Sequence, residues 1–168
     1  ATFSEDSGGV VIADSDATIT DIDNTNLQSL TITITNLLDG AAEALDADVS
    51  GTAIAKSYDS GTGILTLSGA DTLANYQQVL RTVTYNNTSQ DPDTTARSVT
   101  FVVNDGAADS NIATTTVTVL GVNDAPVIDL DANDSTSTGA NFAATFSEDS
   151  GGVVIADSDA TITDIDNT

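Results

Sequence analysis

Acidic side chains are the residues of this chain best placed to do chemistry, and they occur in clusters. In an extended strand, two aspartates separated by one residue point to the same face, so a pair can present both carboxylates to one ion. Such oxygen ligands suit a hard divalent cation, and calcium fits aspartate, asparagine and carbonyl oxygens best. The sequence therefore predicts calcium binding. The clusters are Ser4–Asp6, Asp14–Asp16 with Asp21–Asn24, Asn104–Asp105 with Asp109 and Asn111, and Asn123–Asp124 with Asp129 and Asp131.

The charge balance favours a counter-cation. The chain has 26 acidic and 3 basic residues, for a formal net charge of −23. Two carboxylates about 4 Å apart repel each other by roughly 4 kcal/mol at an effective dielectric constant of 20, and the basic side chains are too few to compensate every cluster. The alternative is that the aspartates form turns on a solvated or salt-adapted surface. In either case the charge repels nucleic acid and anionic membrane surfaces.

The residue types that are missing exclude several kinds of site. The chain has no histidine, cysteine, methionine or tryptophan, which excludes disulfides and removes the usual ligands of zinc, copper and iron. A pair of aspartates could act as acid and base in a glycosidase, but the three tyrosines offer little platform for a sugar. We therefore expect no enzymatic activity. The sequence shows no signal peptide and no apolar membrane span, so we expect no direct membrane insertion.

The chain repeats itself. Ala1–Thr25 recurs letter for letter as Ala144–Thr168, at an offset of 143 residues. A period of that length is the size of a domain, so we interpret the chain as one period of a tandem array and the opening of the next copy. Pro126 fixes an extended backbone and places the junction at Gly121–Pro126. The predicted domains are residues 1–121, a repeat lacking its first segment, and residues 122–168, the linker and opening segment of the next identical repeat.

The hydrophobic pattern is that of a β protein. Short runs rich in Thr and Val alternate with turn signals, which favours an antiparallel β-sandwich. Tyr58–Thr62 is predicted to be a hairpin turn, and Asp71–Val79 a short helical segment with Asp71 as its N-cap. The predicted core aromatics are Phe3, Tyr76, Tyr85 and Phe101. The predicted strands are Val10–Ile12, Leu30–Asn36, Thr52–Ser57, Gly63–Ser68, Leu80–Tyr85, Ser98–Val103, Ala113–Val119 and Phe142–Phe146.

One motif resembles a known family. Val122–Val127 (VNDAPV) resembles the Asp-x-Asn-Asp-Asn-Ala-Pro linker of cadherins, although the first linker aspartate and the Asp-Arg-Glu motif are missing. The wider chain is similar to the cadherin-like repeats of giant bacterial surface adhesins, many of which are secreted by the type I route and carry RTX sequences. The motifs that carry this wider similarity are Ala17–Asp23, Gly63–Gly69, Tyr85–Thr88 and Val103–Gly106.

The resemblance implies Ig/cadherin-like β-sandwiches strung end to end, with calcium at the junctions. It implies that Asn123 and Asp124 are linker ligands, that Glu5 is an early strand ligand, and that Asp21 and Asp23 form an Asp-x-Asp pair. With the third cluster and the repeated copy, the predicted metal ligands are Glu5, Asp21, Asp23, Asp105, Asn123, Asp124, Glu148, Asp164 and Asp166.

These observations predict a non-enzymatic, calcium-stabilised extender repeat of an extracellular bacterial adhesin or fibre at the cell surface. Its expected partners are neighbouring identical repeats of the same chain, and no nucleic acid. Two alternatives stay open. One is a lectin-like module that uses calcium to bind glycan hydroxyls. The other is a filament subunit in which the opening segment pairs with another copy by strand addition.

Overall fold

The computed structural model describes residues 1–167 and divides into two units, Ala1–Val122 (unit 1) and Asn123–Thr168 (unit 2). The chain is mostly β, with one α-helix among the described residues. This confirms the predicted β-rich class. No helix among residues 1–167 has the length and apolar character needed to span a membrane.

Unit 1 contains two sheets. One has six strands in the order β1-β9-β8-β3-β6-β5, and the other has three in the order β2-β7-β4. Neighbouring strands are antiparallel except β1 and β9, which run parallel. The strands are β1 Thr2–Ser4, β2 Val10–Val11, β3 Asn26–Ile34, β4 Glu43–Asp46, β5 Ala55–Asp59, β6 Ile64–Thr72, β7 Thr84–Asn87, β8 Arg97–Asn104 and β9 Ala113–Leu120.

Both sheets contribute to one hydrophobic core. Side chains on β3 alternate between buried and less buried positions, and its buried leucines and isoleucines join residues from the other strands. Phe3 of β1 packs edge to face against Tyr85 of β7, with ring centroids 5.5 Å apart. The four predicted core aromatics, Phe3, Tyr76, Tyr85 and Phe101, are all buried. The alternation of apolar and polar residues in the sequence therefore identifies which side chains are buried in the core.

The helical segment forms, but its boundaries differ from the prediction. Helix α1 spans Leu73–Leu80. A separate short 3₁₀ turn, Gly40–Ala42, lies between β3 and β4. Its N-cap is Thr72, whose Oγ1 accepts a hydrogen bond from the Asn75 N–H at 3.2 Å. Asp71 was predicted for that role, but its carboxylate accepts the backbone N–H groups of Ala53 and Thr72 instead, each at 2.7 Å.

The predicted hairpin is confirmed: β5 and β6 pair up to Asp59 and Ile64, and the Gly63 N–H donates to the Asp59 carbonyl. The predicted strand Leu80–Tyr85 is wrong at its start, because Leu80 ends α1 and the next strand begins at Thr84. The predicted strand Phe142–Phe146 is also wrong, since those residues lie in no strand.

Unit 2 contains one small antiparallel sheet. Its strands are β10, Val127–Asp129, and β11, Thr161–Thr163. The repeated segment begins at Ala144 and includes β11, and its residues 144–156 form no strand. The same sequence forms β1 and β2 in unit 1, so its conformation depends on the strands available to pair with it.

Candidate metal centre

Asp131 lies at the centre of a polar cluster just after β10. It is fully buried, and the Asp129 carboxylate accepts its backbone N–H at 3.0 Å. The Asp131 carboxylate accepts hydrogen bonds from the N–H and hydroxyl of Ser135 and of Thr136, and from the Ser137 N–H, at 2.7–3.2 Å. These donors, the Thr136 hydroxyl foremost, hold the pKa of Asp131 well below its ordinary value. The residue is therefore an oriented carboxylate anion.

Asp157 and Asp159 come to Asp131 from the repeated segment. The Asp157 N–H donates to the Leu130 carbonyl at 2.8 Å, which ties this part of the segment to the residue after β10. The Ser135 hydroxyl lies 3.1 Å from Asp131 Oδ1 and 3.1 Å from Asp157 Oδ2, and so links the two carboxylates. One oxygen from each of the three aspartates lies within 4.8 Å of the others.

One oxygen of this cluster has no protein partner. Asp159 Oδ1 is buried and accepts no hydrogen bond from any residue that the structure describes. A buried carboxylate oxygen without a donor carries a desolvation cost that a bound cation would remove. Serine donors, chiefly the Ser158 hydroxyl and then the Ser135 hydroxyl, lower the pKa of Asp157. At neutral pH the site therefore presents negative oxygens to whatever occupies it.

The donor set suits a hard cation. All three basic residues of the chain, Lys56, Arg81 and Arg97, belong to unit 1, so unit 2 has no basic side chain of its own to neutralise the aspartates. Three carboxylates supply part of the six to eight oxygen ligands that calcium takes, and carbonyl, hydroxyl or water oxygens would complete the shell. Hard oxygen donors without nitrogen or sulfur select the magnesium, calcium and manganese class.

The structure places the predicted ligand Glu5 directly after β1, where it is buried. Its Oε2 accepts the Val122 N–H at 2.8 Å, and its own N–H donates to the Leu120 carbonyl at 2.9 Å. Its Oε1 is buried and accepts no hydrogen bond within residues 1–167. The repeated copy of this residue, Glu148, is exposed. Its role as a ligand stays a prediction.

Asp21 and Asp105 are brought near each other at one end of unit 1. The Asn24 side-chain amide donates to Asp105 Oδ2 at 2.7 Å, and Asp21 Oδ1 accepts the N–H groups of Asp23 and Asn24. Backbone N–H groups lower the pKa of Asp105, that of Ala108 foremost, and the negative charge of Asp21 opposes the shift. The backbone contacts of Asp21 and Asp105 are turn hydrogen bonds, the arrangement that the alternative interpretation predicted, whereas the Asn24–Asp105 hydrogen bond joins two distant loops. Asp23 is exposed.

In unit 2, the predicted ligands Asp124 and Asp166 meet. The Asp124 N–H donates to Asp166 Oδ2, and Asp124 Oδ2 is buried without a hydrogen-bond partner among the described residues. Asp164 Oδ1 accepts the Asp166 N–H at 3.2 Å. The Asn123 side chain is turned to the Asp124 carbonyl, to which it donates at 2.6 Å.

Within residues 1–167, Asp131, Asp157 and Asp159 are the one group of three acidic residues whose oxygens lie this close together. The predicted ligand set omits all three. Two signals were available, because Asp131 belongs to one of the sequence clusters, and Asp157 and Asp159 are the repeated copies of Asp14 and Asp16. In unit 1, Asp14 Oδ1 accepts the Asp16 N–H at 3.1 Å, but no third acidic residue joins that pair within the described part of the chain.

No family model, no curated protein and no solved structure matches this chain.

Proposed function

We propose that this chain is a non-enzymatic, calcium-stabilised extender repeat of an extracellular bacterial adhesin or fibre, which spaces adhesive domains from the cell surface. The two sheets of unit 1, which share one core, support an Ig/cadherin-like β-sandwich as the finer description of its fold. Its partners in this proposal are neighbouring identical repeats of the same chain.

The observation that carries the proposal is the cluster of Asp131, Asp157 and Asp159. Asp131 comes from the stretch after the Pro126 linker, whereas Asp157 and Asp159 come from the repeated segment. A cation held there would join the segment after the junction to the opening of the repeat. It would stabilise the folded chain through mass action, by about 2.7 kcal/mol when the free ion is at 100 times its dissociation constant.

The repetition supports a structural role. An identical 25-residue segment that recurs at the spacing of a domain multiplies the length and valency of the chain. Such repetition suits a spacer better than it suits a unique binding pocket. The absence of histidine and cysteine from the sequence removes the usual activated nucleophiles and bases. The extracellular location belongs to this proposal; a site there would bind calcium with a dissociation constant of about 10⁻⁴–10⁻³ M, as extracellular modules do.

Isothermal titration of the full chain with calcium, after treatment with a chelator, tests the proposal. Asp159→Asn should remove one binding event, whereas Asp16→Asn should leave the titration unchanged. The second variant is a matched control, because Asp16 has the same 25-residue sequence around it but lacks the third aspartate. The thermal midpoint of the wild type should rise with calcium, and that of Asp159→Asn should rise less.

Equal titrations for the wild type and Asp159→Asn would show that the cluster is not the site. Magnesium binding as tight as calcium binding, at the same ionic strength, would overturn the assignment of calcium. No binding of either ion would overturn the proposal of a calcium-stabilised repeat.

A further inference from the structure

The loop between β7 and β8, residues 88–96, contains the one bond of this sequence that joins an aspartate to a proline. Asp91 precedes Pro92, whereas the other proline, Pro126, follows Ala125. A proline nitrogen belongs to a tertiary amide and carries no hydrogen, so it leaves as a secondary amine when the bond breaks. An aspartate carboxylate reaches its own carbonyl carbon through a five-membered ring. The Asp91–Pro92 bond therefore combines an internal nucleophile with a leaving group that acid activates.

The structure leaves the Asp91 carboxylate unrestrained. The side chain is exposed, and its carboxylate accepts no hydrogen bond from any residue that the structure describes. The Asp91 N–H donates to the Ser89 hydroxyl at 3.3 Å, and the buried Pro92 follows outside any strand. The next aspartate of the loop differs, because Asp93 Oδ1 accepts the Thr95 N–H at 2.8 Å. Asp91 can therefore turn its carboxylate toward its own carbonyl group without breaking a hydrogen bond.

Asp39 holds the chain on both sides of this bond. Its Oδ2 accepts the Asn87 side-chain amide at 2.6 Å, before the bond, and its Oδ1 accepts the Asp93 N–H at 3.1 Å, after it. The two parts of the chain also share one sheet, because β8 lies between β3 and β9, and β1 pairs with β9. Residues 1–91 and 92–122 should therefore stay together when the bond between them is cut.

We propose that the Asp91–Pro92 bond is an acid-dependent self-cleavage site, and that the cut chain remains assembled through unit 1. An oxygen of the Asp91 carboxylate attacks the carbonyl carbon of the same residue. The proline nitrogen takes a proton from the acidic solvent as the carbon–nitrogen bond breaks. The cyclic anhydride that results is opened by one water molecule. The products are residues 1–91, which end in an aspartate, and residues 92–168, which begin with a proline amine.

The charged groups around the loop leave the acid dependence to the solvent. The groups that contact the loop, directly or through Arg97, are Asp6, Asp39, Glu43, Asp93 and Arg97. The Arg97 guanidinium is completely buried against Asp39 and Glu43, and within residues 1–167 it forms no ion pair with Asp91. The proton that the leaving nitrogen needs therefore comes from water, so cleavage should be faster at about pH 4 than at neutral pH.

Cleavage changes how unit 1 transmits tension. In the uncut chain, covalent bonds join Ala1 to Val122. In the cut chain, only hydrogen bonds and packing join them, the parallel pairing of β1 with β9 among them. In an array of the proposed kind, the cut would give a string that holds together at rest and separates under force or in denaturant. The cleavage itself does not rest on the proposed function.

Incubation of the full chain at about pH 4 and at neutral pH, with temperature and ionic strength matched, tests the inference. Mass spectrometry should find one cut in acid, with Pro92 as the new N-terminal residue. After return to neutral pH, the two fragments should elute together in size-exclusion chromatography, with the circular dichroism of the uncut chain, and should separate in urea. Should acid unfold the chain, the incubation is run at the lowest pH at which its circular dichroism equals that of the neutral sample.

Two variants separate this chemistry from ordinary acid hydrolysis. Asp91→Ala should abolish the cut, because it removes the nucleophile. Asp91→Glu is the matched control, since it keeps an exposed carboxylate but needs a six-membered ring, and it should be cut at least about tenfold more slowly. The inference is overturned if the folded chain is not cut after Asp91, or if Asp91→Glu is cut as fast as the wild type. It is also overturned if the fragments separate at neutral pH without denaturant.

Discussion

Phe3 and Phe146 stand at the same place in identical 25-residue sequences, yet Phe3 is buried and Phe146 is exposed. Local sequence cannot account for this difference, because the neighbours on both sides are the same. What differs is the partner: Phe3 has Val119 opposite it in the sheet and Tyr85 against its ring. The burial of this residue is therefore a property of tertiary pairing, and the two copies form an internal control.

Phe3→Ala should destabilise unit 1, whereas Phe146→Ala should have almost no effect on stability. Removing a fully buried phenylalanine costs about 3–5 kcal/mol through lost transfer energy and the cavity left behind. An exposed side chain that packs against nothing usually contributes within about 0.5 kcal/mol. Urea unfolding of dilute full chains, followed by circular dichroism, measures both. Equal losses for the two variants would mean that the repeated segment is packed in both units.

The strands of unit 1 could be predicted because their signal is local. Alternation of apolar side chains and threonine marks β3, β8 and β9, and the Tyr58–Thr62 turn fixes the hairpin between β5 and β6. The strand at Phe142–Phe146 could not be judged in this way, because a strand exists only where another strand pairs with it. Its last two residues, Thr145 and Phe146, are the copies of Thr2 and Phe3, which do form a strand in unit 1.

The candidate site was harder to predict because it depends on distance in space. Asp131 precedes Asp157 by a long stretch of chain. The pairing of β10 with β11, the link from Asp157 to Leu130 and the Ser135 hydroxyl bring them together. Spacing along the sequence favoured Asp-x-Asp pairs such as Asp21 and Asp23, and these form turn hydrogen bonds with their own backbone.

A buried ion cluster in unit 1 was also missed. The Arg97 guanidinium and the Glu43 side chain are completely buried and in contact, and Asp39 Oδ2 lies 2.7 Å from Arg97 Nη2. Arg97→Met should therefore destabilise unit 1 by about 3–5 kcal/mol, because Glu43 is left as an uncompensated buried charge. Lys56→Met, which breaks the exposed pair with Asp46, should cost no more than about 1 kcal/mol. Urea unfolding at neutral pH measures both.

The double variant Glu43→Leu/Arg97→Met distinguishes charge from packing. If the uncompensated carboxylate causes the loss, replacing it with an apolar residue should restore part of the stability. No recovery would mean that the loss comes from the packing of the Arg97 side chain.

Gly69→Ala should destabilise unit 1 more than Gly8→Ala does, by about 1 kcal/mol or more. Both glycines have positive φ, +128° and +77°, so both substitutions are strained. At Gly69 an added Cβ would also lie 2.7 Å from the Ala53 carbonyl oxygen, whereas at Gly8 nothing lies within 4 Å. Gly69 also accepts the Tyr76 hydroxyl at 2.8 Å, which ties α1 to β6. Equal losses in thermal or urea unfolding would show that the backbone near Ala53 yields without cost.

Acid should remove the stabilising contribution of the Asp71 carboxylate. Its pKa is lowered by the N–H of Ala53 foremost, then by that of Thr72 and by the Asn75 side-chain amide. A folded-state pKa below the unfolded value means that the contribution is complete above the ordinary aspartate pKa, about 3.9, and is lost as the pH falls through the lowered value.

Asp71→Ala should thus lower the urea midpoint at pH 6, with a difference from wild type that shrinks below about pH 4. Asp91→Ala is the matched control at pH 6, since Asp91 is exposed and its carboxylate accepts no hydrogen bond within residues 1–167; its difference from the wild type should be small there. A difference for Asp71→Ala that is unchanged from pH 6 to pH 3 would show that its carboxylate charge does not hold the Ala53 loop to the start of α1.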